Sequence, residues 1–229
     1  GQTLCPRHAL HWSGARLCCG AGKRSKRLTM IQSFKGMVPV VAESAYVHPL
    51  ATVIGHVTIG ANCYIGPGAV LRGDWGKIHL EAGCNGQENA VLHMFPKDVV
   101  TLKEGAHIGH GAMIHGATIG VQSMVGMNAV VLDHAEIGDE CIVGALALVK
   151  SRSCWEDRSL IVGNPAQKVG EVSDAMIAHK IEGTALYQAL PFDMHAHVEE
   201  VEPLRTVPEN RPEDFPEFET WQKRRANSR

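Results

Sequence analysis

The sequence predicts an all-β fold, a parallel β-helix of six-residue repeats, followed by one C-terminal α-helix. Three observations predict it. Val47, Val53, Ile59, Ile65 and Leu71 stand at steps of six, and the same register returns as Ile119, Val125, Val131, Ile137, Val143 and Val149. Two residues ahead of them stand Ala45, Ala51, Val57, Cys63 and Ala69, then Ala117, Ser123, Ala129, Ala135, Cys141 and Ala147, so each step pairs a large aliphatic with a mostly smaller residue. Aromatics make up only 5% of a chain that holds 24 glycines, so thin aliphatic layers must fill the core. A period of six is neither helical nor simply alternating; it suits a short strand and a turn repeated around a prism one side chain wide inside.

The elements follow in chain order. Residues 1–29 carry six Lys or Arg, no acid and no apolar periodicity, and read as a basic, disordered extension; the alternative is an organelle transit segment. Residues 30–165 form the β-helix, about eighteen residues per triangular coil, with Gly-containing corners such as Ile65-Gly66 and Ile137-Gly138. Val162-Gly163-Asn164-Pro165-Ala166 leads out of the repeats. Residues 166–201 hold the helix, capped by Ser173 and carrying Met176, Ile177, Ile181, Ala185, Tyr187 and Leu190 at helical spacing, which predicts packing along the prism. Residues 202–229, rich in proline and charge, read as an extended or disordered tail.

Composition removes several function classes. No apolar run is long enough for a membrane span. The formal net charge of −2 leaves the chain beyond its basic leader distinctly acidic, which argues against nucleic acid as a partner. Seven cysteines, with Cys63 and Cys141 at inward repeat positions, fit a reducing compartment, so the expected location is cytoplasmic, or the mitochondrial matrix if the leader is a transit segment.

Of thirteen histidines, three stand out: His93 after Leu92, and His110 and His115 in the stretch from Ile108 to His115. His48, His56, His79, His107, His134, His179, His195 and His197 read as solvated corners or satisfied hydrogen bonders. Spacing alone leaves the three between metal ligands and the same bland reading.

Arg72-Gly73-Asp74, Asn85-Gly86-Gln87-Glu88-Asn89, His93, Gly109-His110-Gly111 with His115, and Gly126-Met127-Asn128 occur in that order. In these motifs the chain resembles the γ-class carbonic anhydrase family from about Phe34 to Leu204. It is closest to the branch of the phenylacetic acid degradation protein PaaY and the carnitine-operon protein, through Arg72-Gly-Asp-Trp-Gly, His93-Met-Phe-Pro, Val125-Gly-Met-Asn-Ala-Val-Val, Glu202-Pro-Leu-Arg and Glu209-Asn-Arg-Pro. The resemblance implies a left-handed coil, which the general right-handed rule for parallel crossovers does not supply. It implies Zn2+, with Fe2+ as the alternative, on His93, His110 and His115 at the interface of a homotrimer, His93 and His115 from one chain and His110 from its neighbour. Three neutral imidazoles and one open position lower the pKa of bound water to about 7.

By the same resemblance Arg72 and Asp74 bridge subunits near the metal and Gln87 holds metal-bound solvent or substrate. Glu88 stands where an aspartate is usual, and Tyr187 leans over the site from the helix, or only packs. Asn128 is a further site candidate. Gly86 departs from an expected inward aliphatic, and the loop from Met94 to Gly105 is expected to shape the acyl pocket. The implied activity is zinc-dependent hydrolysis of an acyl-CoA thioester, linked to phenylacetate degradation. The alternatives are reversible CO2 hydration with bicarbonate as partner, hexapeptide acyl transfer, and a non-catalytic trimeric scaffold.

Overall fold

The computed structural model describes residues 30–227, so the basic leader lies outside the described residues. The repeats wind into a left-handed parallel β-helix of about seven coils. Three columns of inward aliphatics define three faces. Along the first face Val47, Ile65, Gly86, Ile108, Val125, Val143 and Ile161 are successive partners in the ladder. Along the second they are Val53, Leu71, Leu92, Ile114, Val131 and Val149. The third holds Val41, Ile59, Leu80, Leu102, Ile119, Ile137 and Trp155. Nearly all of these side chains are buried, which is the hydrophobic gain that holds the coils together.

The columns run unbroken through the stretch from Leu71 to Ile119 where the six-step pattern lapses. Extra residues enter between Leu71 and Leu80 and between Leu92 and Leu102, and one is missing between Ile114 and Ile119. All three irregularities fall at the corner between the second and third faces. That corner therefore bulges outward, and it carries Arg72, Asp74, His93 and His115.

Beyond residue 165 an antiparallel strand, Gln167–Glu171, pairs with Ser159–Val162 and extends the edge of the first face at the C-terminal end of the stack. Helix α1, Asp174–His197, starts on Ser173, whose hydroxyl accepts from the Met176 amide. It lies along the first face, where Tyr187 meets Tyr64 and His107 and His195 meets Tyr46. Lys180 fastens it there by donating to the Gly105 carbonyl at 2.7 Å. Residues 198–220 contain no helix or strand. The short helix α2, Trp221–Asn227, was not expected; Arg224 ties it to Glu182 of α1 and Trp221 packs on His179. Among the described residues no helix is long and apolar enough to cross a membrane.

Candidate active site

The bulged corner assembles one half of the candidate site. His93 and His115 are direct partners in the ladder between strands Val91–His93 and Met113–His115, so parallel pairing itself stacks the two rings. Nδ1 of His93 lies 3.3 Å from Nε2 of His115. Two nitrogens bound to a tetrahedral zinc at ~2.0–2.1 Å are separated by about the same distance. The Nδ1 of His115 donates to Asp133 at 2.5 Å, which leaves Nε2 with its lone pair. Nε2 of His93 is 2.8 Å from Arg72 and 3.2 Å from Asp74. Burial, reinforced by the Arg72 cation, holds the His93 pKa below the usual histidine value, so the ring is neutral near pH 7 as a ligand must be. Trp75 and Phe95, both about half exposed, flank the two imidazoles at 5.3 and 5.0 Å between ring centres.

The other half sits at the opposite edge of the second face, where the chain turns onto it from the first. His110 donates through Nδ1 to Glu88 Oε2 at 2.5 Å, and Tyr64 donates to Oε1 of the same carboxylate at 3.1 Å. Burial would raise the Glu88 carboxyl, but bonds from its own amide, Tyr64 and His110 outweigh it and hold the pKa below the usual range. Gln87 is buried; its amide nitrogen donates to Asn85 at 3.1 Å and reaches Nε2 of His107 at 2.6 Å. Gln87, His107, His110 and Tyr187 line one cavity of about 320 Å3. A second, of about 840 Å3, is bounded by Tyr64, Glu88, His110, Tyr187 and the arm residues Phe215 and Pro216.

One protomer thus brings together Arg72, Asp74, His93 and His115, and separately Gln87, Glu88, His110 and Tyr187. It does not bring the two sets together. The five steps from His110 to His115 cross the second face, at most roughly 16 Å at strand rise. Among the described residues no group of three or more metal-ligating side chains converges within the chain. Arg72 and Asp74 face each other within the protomer at 3.5 Å and both touch His93. Asn128 stays outside both sets: it is exposed, in a left-handed turn, and its amide holds the His110 carbonyl at 2.9 Å. Within the stretch from Met94 to Gly105, Met94 is buried in the core, Val99–Leu102 is a strand, and the turn at Phe95–Lys97 lies beside His115.

Sequence reasoning passed over Asp133, Tyr64 and Asn85, and read His107 as bland. Burial, then the charges of Lys180 and His110, depresses His107 to about 3, so it faces Gln87 as a neutral ring. The missed signal is spacing by one coil: Asp133 is 18 residues from His115 and His107 is 20 from Gln87.

A family model described as bacterial transferase hexapeptide (six repeats) matches residues 39–73. The carnitine operon protein CaiE of Escherichia coli O7:K1 is 45% identical over 180 residues, 79% of this chain and 92% of that protein. Among solved structures, a hexapeptide transferase family protein of Anaplasma phagocytophilum superposes with a TM-score of 0.69 at 28% identity, covering 74% of this chain and 99% of the other. The S84C mutant of the N-acyltransferase AntD from Bacillus cereus shares the fold, with a TM-score of 0.50 at 15% identity over 70% of this chain and 94% of the other.

Proposed function

Because the chain belongs to the hexapeptide-repeat family of the carnitine operon protein CaiE, we propose that it is a zinc-dependent hydrolase of acyl-CoA thioesters whose active site forms between neighbouring copies in a homotrimer. One observation carries this reading. His93 with His115, and His110 with Glu88, occupy the two edges of a single prism face whose outward column is apolar beyond Thr52. Val70, Val91, Met113, Val130 and Leu148 form that outward column. The first face, by contrast, lies under α1, and the third presents Thr58, His79, Thr101, Thr118 and Glu136 between Val40 and Cys154 at its ends. Packing second faces around a three-fold axis sets one edge of each copy against the opposite edge of the next, a head-to-tail contact that closes as a ring.

The donor set suits zinc: three imidazoles, two of them already at ligand spacing, each steadied by a carboxylate. The ion, when bound with one open position, makes hydroxide available at neutral pH and polarises a carbonyl. The protein's own groups do the rest. Asp133 and Glu88 fix the tautomers of His115 and His110, Gln87 keeps its amide oxygen for substrate or solvent, and Tyr187 walls the cavity that Gln87 and His110 line.

A single mixing experiment tests the shared site. His93→Ala and His110→Ala are each expected to be inactive, while subunits of the two, dissociated and reassembled at equal ratio, regain about a quarter of wild-type activity because one interface in four carries both intact halves. Activity that never returns, with trimers reformed, rejects the shared site. Zinc near one per chain by elemental analysis, with CoA release from acyl-CoA measured beside CO2 hydration, separates thioester hydrolysis from carbonic anhydrase chemistry. Acyl transfer is the second reading, favoured by the family description and by the hexapeptide transferase likeness. It requires CoA release that depends on an added amine or hydroxyl acceptor.

A further inference from the structure

A cavity of about 550 Å3 lies where α1, α2 and the outer side of the first face meet, within the size range of small-ligand sites. Its wall is apolar: Ile142, Met176, Leu186, Phe218 and Trp221 supply most of it, and no acidic residue lines it. At its floor stands Lys180, only 7% exposed. Its ammonium donates to the Gly105 carbonyl at 2.7 Å and to Gln122 Oε1 at 2.8 Å. An ammonium has three N–H donors, and the third has no acceptor among the described residues. No carboxylate among them lies within ion-pair distance of it, so a buried cation faces an apolar chamber without a counter-charge. That arrangement costs free energy unless an anion is supplied from outside. A second orphan lies alongside: Nδ1 of His179 is buried without a hydrogen-bond partner, its ring held against Phe218 and Trp221.

We propose that this cavity binds a small apolar carboxylic acid, its aryl or alkyl body against Ile142, Leu186 and Trp221 and its carboxylate on the Lys180 ammonium. A neutral apolar molecule would satisfy the wall and leave the cation unmet, which is why the occupant must carry a negative charge. The cavity borders the chamber beside His110, with which it shares His107, Met124 and Tyr187, but it contains none of His93, His110 and His115, and binding there does not depend on zinc.

Isothermal titration of the full-length protein at a pH below 7, where Lys180 is charged, with octanoate and 3-phenylpropionate, beside octanol and 3-phenylpropanol, tests it. Each acid is expected to bind one site per chain at least about tenfold tighter than its alcohol, the discrimination that one charged hydrogen bond supplies. Ile142→Trp fills the chamber and is expected to weaken acid and alcohol alike by about tenfold or more. Lys180→Met should erase the preference for the acid while leaving the alcohol unchanged. If that variant fails to fold, the acid and alcohol comparison on wild type together with Ile142→Trp still decides. Equal affinity for acid and alcohol, no binding of either at millimolar concentration, or unaltered binding in a folded Ile142→Trp protein would each overturn the proposal.

Discussion

Glu88 stands where the resemblance leads one to expect an aspartate, and the structure shows what its longer side chain reaches. One oxygen takes the Tyr64 hydroxyl and the other takes Nδ1 of His110, so the ring turns its Nε2 outward with a lone pair. The extra methylene keeps the carboxylate on the histidine and anchors it to a tyrosine. Removing the charge while keeping the shape, as in Glu88→Gln, is therefore expected to lower zinc affinity about tenfold, the usual cost of losing such an outer partner. Competition with a chelator measures this, with circular dichroism as the check on folding. Unchanged affinity in a folded variant would show that Glu88 does not orient the ligand. Tyr64→Phe removes only the anchor and should cost less. The three histidines, Gln87, Arg72 and Asp74 could be picked out as candidates in the linear sequence because their motifs are short and local. Asp133, Tyr64 and His107 were not, since each meets its partner one coil away, at spacings of 18, 24 and 20 residues. Such pairings emerge only when the number of residues in each coil is known.

At the scale of the element, the six-step rule was readable wherever a coil is regular and vanished where a corner gains or loses residues. Gly86 was read as a departure from an inward aliphatic, and it sits in the first column as ladder partner of both Ile65 and Ile108. An added methyl there would meet only the Ile65 Cδ1, at 3.6 Å, an ordinary contact. Gly86→Ala should therefore stabilise the coil by about 0.5–1 kcal/mol through the unfolded chain's lost freedom, which raises the melting temperature by a few degrees. A lower melting temperature would mean that the gap is required by the neighbouring Gln87. The helix gives a second prediction through Lys180, whose pKa burial pushes down to about 7. Below pH 7 the lysine is charged in both the folded and unfolded chain, and the full penalty of burying it is present. Between pH 7 and the ordinary lysine range the unfolded chain holds a proton that the folded chain has released, so stability rises with pH, by at most about 1.4 kcal/mol per unit. The melting temperature of wild type relative to Lys180→Met is thus expected to climb from pH 7 to 9. A flat or falling difference would show that the lysine stays charged in the folded protein.

For the whole molecule, the outward columns matter as much as the inward ones. Their residues were legible one by one, but their meaning depends on which face the helix takes. With α1 on the first face and polar side chains on the third, the second face is left presenting Val70, Val91, Met113, Val130 and Leu148 between two half-sites. If its partner is another copy of the chain, association and metal binding share one equilibrium, because an ion held by two copies stabilises only their contact. Met113 is the cleanest place to test this. It is 41% exposed in the protomer, so a charge there leaves the core of the coil intact. Met113→Glu is expected to sediment as a monomer with an unaltered β-rich spectrum, to retain less than a tenth of the zinc of wild type, and to lose the stabilisation that excess zinc gives wild type, about 2.7 kcal/mol at a hundred times Kd. Chelation of the wild-type protein should shift its mass toward the same monomer, more completely the more dilute the sample. A Met113→Glu protein that remains trimeric and zinc-loaded would place the contact on another face, and His110 would then have to find its metal without a neighbour.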